Sequence, residues 1–178
     1  MEKNRQGLLH IYCGDGKGKT SAAVGMAVRA AGCGMKVLVI RFLKTENSGE
    51  VEVLRSIPGI TVPPCERTFG FVFRMTEEQK QEAALYYQSR FEAAAKKAVQ
   101  GQYDLLILDE ILASCNYGMV RETSVVEFLK NRPEKLEVVL TGRNPSETFL
   151  ELADYVSEIC MRRHPYEKGI PARRGIEF

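Results

Sequence analysis

The chain has 178 residues, of which 44% are hydrophobic and 27% charged, and its formal net charge is +2. This length and composition exclude an intrinsically disordered chain and fit one globular domain over residues 1–178. The charge excess is too small to indicate a nucleic-acid partner.

The first quarter of the chain predicts a strand, a helix and a second strand. Residues 8–13 are a short apolar run, and residues 20–31 have the alanine-rich composition of a helix that ends near Gly32 and Gly34. Residues 37–42 form a continuous apolar run, which is typical of a strand buried on both faces of a parallel sheet. This order of elements is a βαβ unit.

The middle of the chain predicts a loop followed by a long helix. Residues 45–62 contain a weak helix and a possible short strand between prolines, and residues 65–74 form a loop with three phenylalanines. Thr76 and Gln79 have the spacing of a capping box, which predicts a helix that begins there and continues to about Gln100.

The last part of the chain alternates strands and helices again. Strands are predicted at residues 104–109, 137–141 and 155–161, and helices at residues 124–131 and 146–152. The whole pattern predicts an α/β fold with a mainly parallel sheet and helices on both faces. Ligands of such sheets bind at the carboxyl ends of the strands, so the residues that follow each strand are the informative ones.

A glycine-rich segment, Gly-Asp-Gly-Lys-Gly-Lys-Thr at residues 14–20, joins the first strand to the first helix. In this context the glycines let backbone N–H groups face phosphate oxygens, and the helix N-terminus favours an anion. Lys19 is expected to neutralise phosphates, and Thr20 to bind Mg²⁺ through its hydroxyl group. The segment departs from the general P-loop pattern at its first position, which is Cys13. It still predicts a P-loop NTPase-like (RecA-like) fold.

Asp109 and Glu110 follow the third strong strand. A carboxylate at this place can hold Mg²⁺ directly or through water, as the second acidic element of P-loop sites does. Together with the P-loop, the pair predicts a protein that binds a magnesium nucleotide. These residues alone do not choose the reaction, and they leave open a P-loop kinase of a small metabolite or a non-catalytic ATP-binding regulatory subunit.

The P-loop and further motifs along nearly the whole chain resemble the ATP:corrinoid adenosyltransferases. The further motifs lie at residues 29–34, 37–44, 49–50, 70–73, 108–110, 117, 141–143, 153–154, 164–165 and 175–178. That family also lacks glycine at the first P-loop position. Its members transfer the 5′-deoxyadenosyl group of ATP to the Co(I) centre of cobalamin or of a precursor such as cobinamide or cobyrinic acid a,c-diamide, and release triphosphate.

The resemblance implies a set of site residues, with ATP and a corrinoid as substrates and Mg²⁺ as cofactor. Lys19, Thr20 and Glu110 are the expected catalytic residues, and Thr20, Asp109 and Glu110 the expected metal ligands. Residues expected to bind the nucleotide or the corrinoid are Gly14, Asp15, Gly16, Lys17, Gly18, Lys19, Thr20, Ser21, Arg29, Phe71, Phe73 and Arg143. Phe71 and Phe73 fall where the family places aromatic side chains against the lower face of the corrin, and there they would exclude water.

The resemblance also implies partners. We expect a homodimer and a transient reduced flavoprotein that donates electrons, with no nucleic acid and no membrane. Longer family members have an N-terminal arm that covers the corrinoid, whereas residues 1–7 are too few for such a helix. Arg173 stands where the family usually has glutamine.

The remaining sequence features set the expected location and weigh against the kinase alternative. Type II thymidine kinases carry a cysteine zinc site, but the five cysteines of this chain are dispersed and form no Cys-x-x-Cys pair. The first seven residues are polar, which predicts no signal peptide, and the apolar runs are far shorter than the roughly 20 residues that span a bilayer. We expect a cytoplasmic protein.

Overall fold

The alternation of apolar runs and helical segments produces a parallel sheet within residues 5–70 and 72–177, which the computed structural model describes. The elements are β1 (Leu9–Cys13), α1 (Lys19–Gly32), β2 (Val37–Arg41), α2 (Glu50–Ser56), β3 (Ile60–Thr61), α3 (Glu77–Gln100), β4 (Leu105–Asp109), α4 (Ile111–Asn116), α5 (Glu122–Asn131), β5 (Glu137–Thr141), α6 (Glu147–Leu152) and β6 (Tyr155–Glu158). The strand order is β3-β2-β4-β5-β1-β6, and every described pair is parallel. The predicted α/β fold is confirmed.

Each central strand is buried on both faces, because successive side chains point to opposite sides of the sheet. In β4, Leu106 and Leu108 belong to a core with α3, α4, α5 and α6. Leu105 and Ile107 belong to a second core with α1 and α2. Helices therefore cover both faces of the sheet, as the continuous apolar runs predicted.

The long helix α3 begins as the sequence predicted. The Thr76 hydroxyl oxygen accepts a hydrogen bond from the Gln79 N–H group at 3.3 Å, and Gln79 Oε1 accepts one from the Thr76 N–H group at 2.9 Å. None of the helices in the described residues has the length and hydrophobicity needed to cross a membrane.

Two features differ from the expected pattern. The short helix α4 was not predicted, because its six residues carry no periodicity that a sequence window can detect. The last strand ends at Glu158 and not at residue 161, because the chain beyond it leaves β1 and bonds to the P-loop.

The sheet order brings the residues that follow β1, β4 and β5 together at one edge of the sheet. The carboxyl ends of β1, β4 and β5 lie side by side, with β5 between the strand that precedes the P-loop and the strand that ends in Asp109. Thr141, the last residue of β5, therefore stands between these two functional segments.

Candidate nucleotide site

The P-loop is held tightly by the chain that follows β6. The Gly16 N–H group donates to the Ile159 carbonyl oxygen at 2.7 Å, and the Met161 N–H group donates to Asp15 Oδ1 at 2.8 Å. The latter bond lowers the pKa of Asp15. A Cβ atom at Gly14 or Gly16 would lie 2.4 or 2.6 Å from the Ile159 carbonyl oxygen. Glycine is therefore required here by the close approach of a neighbouring backbone.

Lys19 is the first residue of α1, and only 9% of its surface is exposed. Its ammonium group donates to the Gly16 carbonyl oxygen at 2.9 Å, so the side chain folds back along the P-loop. Burial lowers the pKa of Lys19, and the nearby Arg143 lowers it further, whereas the Glu110 carboxylate acts in the opposite direction. A polyphosphate in the loop would supply the anionic partner that favours the charged ammonium.

Thr20 and Asp109 meet as predicted, although they are 89 residues apart in sequence. The Thr20 hydroxyl group donates to Asp109 Oδ1 at 3.0 Å. The same oxygen accepts a hydrogen bond from the Thr141 hydroxyl group at 2.7 Å. The Lys44 ammonium group donates to Thr20 Oγ1 at 2.8 Å and pairs with Asp109 Oδ2. Asp109 is 2% exposed, so these neighbours replace water around its charge.

Glu110 adopts a left-handed backbone conformation, with φ of 64°, immediately before α4. Its N–H group donates to Thr141 Oγ1 at 2.9 Å, which fixes the sharp turn out of β4. Burial raises the pKa of Glu110, and the adjacent Asp109 carboxylate raises it further. A cation near both carboxylates would relieve this repulsion.

These groups fit Mg²⁺ bound together with a nucleotide. One hydroxyl oxygen and one or two carboxylates are hard oxygen ligands, and Mg²⁺ completes its shell with phosphate oxygens and water. No cluster of three or more histidine, cysteine, aspartate or glutamate side chains suited to a metal occurs among the described residues. The Lys44 ammonium group lies between Thr20 and Asp109, so a positive charge already stands at this position.

Cavities at this edge provide space for ligands. The P-loop, Glu110 and Arg143 line a cavity of about 210 Å³. A second cavity, of about 460 Å³, lies beside α1 and shares Thr20 and Ser21 with the first. A third, also of about 460 Å³, lies beside α4 and shares Glu110 and Arg143 with the first. Lys44 lines both of the larger cavities.

Comparison with known proteins finds similarity along nearly the whole chain. A family model described as "ATP:corrinoid adenosyltransferase BtuR/CobO/CobP" matches residues 5–178. The corrinoid adenosyltransferase of Pseudomonas aeruginosa is 31% identical over 177 residues, which cover 99% of this chain and 86% of that protein. That of Escherichia coli K12 is 32% identical, covering 99% and 88%. That of a Sinorhizobium species is 33% identical, covering 98% and 82%.

The chain belongs to the ATP:corrinoid adenosyltransferase family. The resemblance carried by the P-loop and its accompanying motifs is therefore confirmed, and the family is one of transferases.

Solved structures similar to this chain support the fold alone. The cytoplasmic domain of EssC aligns with a TM-score of 0.53 at 13% identity. EssC (ATPases 2 and 3) from Geobacillus thermodenitrificans aligns with a TM-score of 0.51 at 11% identity. The two alignments include 97% and 96% of this chain, but only 37% and 36% of the larger EssC chains. These ATPase neighbours agree with a P-loop NTPase-like fold.

Some residues expected from the family resemblance lie elsewhere. Arg29 is in the last turn of α1, about 15 Å along the helix from Lys19. Together with His10 and Glu137 it lines a cavity of about 720 Å³ that shares no lining residue with the P-loop cavity. The structure does not bring Arg29 to the P-loop, because α1 runs away from the carboxyl ends of the strands.

Phe69 and Phe73, in the phenylalanine loop at residues 65–74, lie in different environments. Phe69 packs against Tyr86 and Tyr87 of α3, with ring centroids 5.6 and 5.8 Å apart, so it anchors the loop to the core. Phe73 lies in a 3₁₀ turn and is 77% exposed, with the Arg74 guanidinium 5.5 Å from its ring centroid. Phe71 lies outside the described residues.

Three neighbours of the site were not assigned by sequence reasoning. Lys44 and Thr141 lie within the family motifs at residues 37–44 and 141–143, but the sequence assigns no role to either. Glu177 lines the P-loop cavity and pairs with Lys17 at 3.2 Å. Its carboxylate also accepts a hydrogen bond from the Arg173 N–H group at 2.7 Å. Arg173 therefore connects the C-terminal segment to the P-loop through Glu177.

Proposed function

We propose that this adenosyltransferase family member moves the 5′-deoxyadenosyl group of ATP to the Co(I) centre of a corrinoid substrate. The cobalt electron pair attacks the 5′ carbon, a cobalt–carbon bond forms, and the carbon–oxygen bond to the phosphate chain breaks. Triphosphate leaves with the electrons of that bond. The observation that carries the proposal is the assembly of the P-loop, Lys19 and the Thr20–Asp109 pair at one edge of the sheet.

The chain's own groups would then stabilise the leaving triphosphate. The P-loop N–H groups other than that of Gly16 and the α1 N-terminus would face its oxygens, and Lys19 would exchange the Gly16 carbonyl for a phosphate oxygen. Thr20, Asp109 and Glu110 would hold Mg²⁺, which supplies positive charge where negative charge develops. Arg143 lines the same cavity and adds a further cation.

The corrinoid would meet the enzyme on the exposed side of the phenylalanine loop. The Phe73 ring is largely exposed and offers a flat apolar surface to a flat ligand. An apolar wall below cobalt would disfavour a lower axial ligand and so help reduction to Co(I). We further propose that a reduced flavoprotein supplies the electron, that two chains form a homodimer, and that the protein acts in the cytoplasm.

The test follows the reaction optically. The protein, chemically reduced Co(I) cobalamin, ATP and Mg²⁺ are mixed without oxygen, and light-sensitive adenosylcobalamin and triphosphate are measured. We expect the two products in equal amounts. Lys19→Ala should reduce the rate by about 100-fold or more, because a preorganised charge on the leaving group is lost.

Control assays identify the corrinoid acceptor and test the type of reaction. Repeating the assay with cobinamide and cobyrinic acid a,c-diamide identifies the preferred acceptor. Release of ADP with a small-metabolite acceptor, or ATP binding without turnover on any corrinoid, would contradict the proposal. A near-normal rate in Lys19→Ala would remove that lysine from the mechanism.

A further inference from the structure

Lys44 occupies the place between the two side chains that the P-loop pattern assigns to a metal. Its ammonium group donates to Thr20 Oγ1 at 2.8 Å and pairs with Asp109 Oδ2. The Lys44 side chain is 22% exposed, so the contact lies at the boundary between the protein interior and the cavities. One ammonium group thus bridges a hydroxyl group on α1 and a carboxylate on β4.

The backbone before Lys44 is strained in a way that directs this side chain. Leu43 has φ of 52°, in the left-handed region that a bulky residue rarely adopts. Its own side chain packs against the core formed with α3 and α4. Such a conformation persists only where the surroundings enforce it, and here it turns the chain so that Lys44 reaches back over the sheet edge.

The ammonium group and Mg²⁺ compete for the same atoms. The Thr20 hydroxyl oxygen that accepts the bond from Lys44 is the atom that would coordinate the metal. Without either cation, Asp109 would be a buried carboxylate with only hydroxyl partners, which is costly. With both cations present, two positive charges would lie within a few ångströms of each other.

The Lys44 side chain also has space to move away from Asp109. It lines the cavity that contains Thr20 and Ser21, and also the cavity that contains Glu110 and Arg143. Both cavities share lining residues with the P-loop cavity, so a short movement of its flexible side chain would take the ammonium group from Asp109 toward a polyphosphate held there.

We propose that Lys44 is a resident counter-ion that neutralises Asp109 in the metal-free protein and transfers to the nucleotide phosphates when Mg²⁺ binds. The proposal rests on the nucleotide site proposed above. Its consequence is cooperative binding: the metal alone must displace Lys44 without giving it a new partner, whereas the magnesium nucleotide provides that partner. Metal and nucleotide therefore raise each other's affinity, and by the same factor.

The experiment measures metal binding rather than turnover. Mn²⁺ replaces Mg²⁺ as a spectroscopic probe, and free Mn²⁺ is counted by electron paramagnetic resonance, first without nucleotide and then with ATP. Lys44→Met keeps the length of the side chain and removes its charge. We expect it to bind Mn²⁺ alone about tenfold more tightly than the wild type and Mn²⁺–ATP about tenfold more weakly.

Two further variants complete the test. Lys44→Arg retains the charge, so its affinity for Mn²⁺ alone should stay as weak as that of the wild type. This variant can be measured even if Lys44→Met folds poorly. Lys80→Met removes a half-buried lysine that pairs with Glu77 on α3, far from the site in sequence, and it should change neither affinity. If Lys44→Met binds Mn²⁺ alone no more tightly than the wild type, or if Lys44→Arg gains as much as Lys44→Met, the counter-ion role is wrong.

Failure of the proposed function would look different. A wild-type protein that binds no Mn²⁺–ATP at all would contradict the nucleotide site itself. A wild type that binds Mn²⁺–ATP, together with a Lys44→Met variant that leaves both affinities unchanged, would overturn only the role of Lys44.

Discussion

Thr141 ties the end of β5 to the acidic pair that follows β4 through a single hydroxyl group. The residue is fully buried at the end of β5, where it donates to Asp109 Oδ1 and accepts from the Glu110 N–H group. Thr141→Val preserves the shape and removes both hydrogen bonds. We expect the free energy of unfolding to fall by about 1–3 kcal/mol, because a buried carboxylate and a partly buried N–H group each lose a partner.

Urea unfolding measures this change, and titration with Mg²⁺–ATP should also reveal weaker binding. Thr148→Val is the matched control, because Thr148 is exposed on α6 and should shift the free energy by less than about 0.5 kcal/mol. Equal stability of the two variants would mean that the Thr141 hydroxyl group does not hold the site together.

At the scale of elements, the P-loop depends on its contact with the chain after β6. A Cβ atom at Gly16 would lie 2.6 Å from the Ile159 carbonyl oxygen and 2.9 Å from the Cys160 carbonyl carbon, both of them backbone atoms. Gly16→Ala must therefore displace one segment and weaken the bond between Gly16 and Ile159. We expect a loss of about 1–3 kcal/mol of stability.

Gly25 provides the opposite case on the neighbouring helix. It lies in the interior of α1, and no atom would come within 4 Å of an added Cβ. Gly25→Ala should stabilise the protein by about 0.5–1 kcal/mol, because alanine restricts the unfolded chain more than glycine does. Differential scanning calorimetry should give shifts of opposite sign for the two variants. An unchanged or raised melting temperature of Gly16→Ala would contradict the close contact at Gly16.

At the scale of the molecule, the sequence predicted those features of the fold and site that depend on local residue patterns and on strand topology. The central strands follow from continuous apolar runs, α3 from its capping box, and the meeting of Thr20 with Asp109 from the convergence of parallel strand ends. The position of Arg29 depends on the length and direction of α1, which a motif match does not consider. The role of Lys44 depends on the backbone turn at Leu43, which no local pattern indicates.

Ion pairs between neighbouring segments also affect how the molecule responds to acid. Glu46 follows β2 and joins three segments. Its carboxylate accepts hydrogen bonds from the Cys65 N–H group at 2.6 Å, from Arg41 at 2.6 Å and from Arg55 of α2 at 2.7 Å. Burial alone would raise the pKa of Glu46, but the Cys65 N–H group, Arg55 and Arg41 lower it to about 2. The loop that begins at Cys65 leads to the phenylalanines, so this junction ties that loop to the sheet.

A carboxyl group whose pKa falls on folding stabilises the folded state only while it is ionised. The contribution of Glu46 is therefore complete above its ordinary pKa of 4.5 and is lost as the pH falls toward 2. Glu46→Gln should be less stable than the wild type at pH 7, by an amount that remains constant down to about pH 5 and then shrinks. Urea unfolding across this pH range measures the difference. Glu92→Gln, which alters an exposed carboxylate 3.5 Å from Arg121, is the control and should show little pH-dependent difference. A Glu46→Gln deficit that persisted unchanged at pH 3 would mean that Glu46 contributes by its shape and not by its charge.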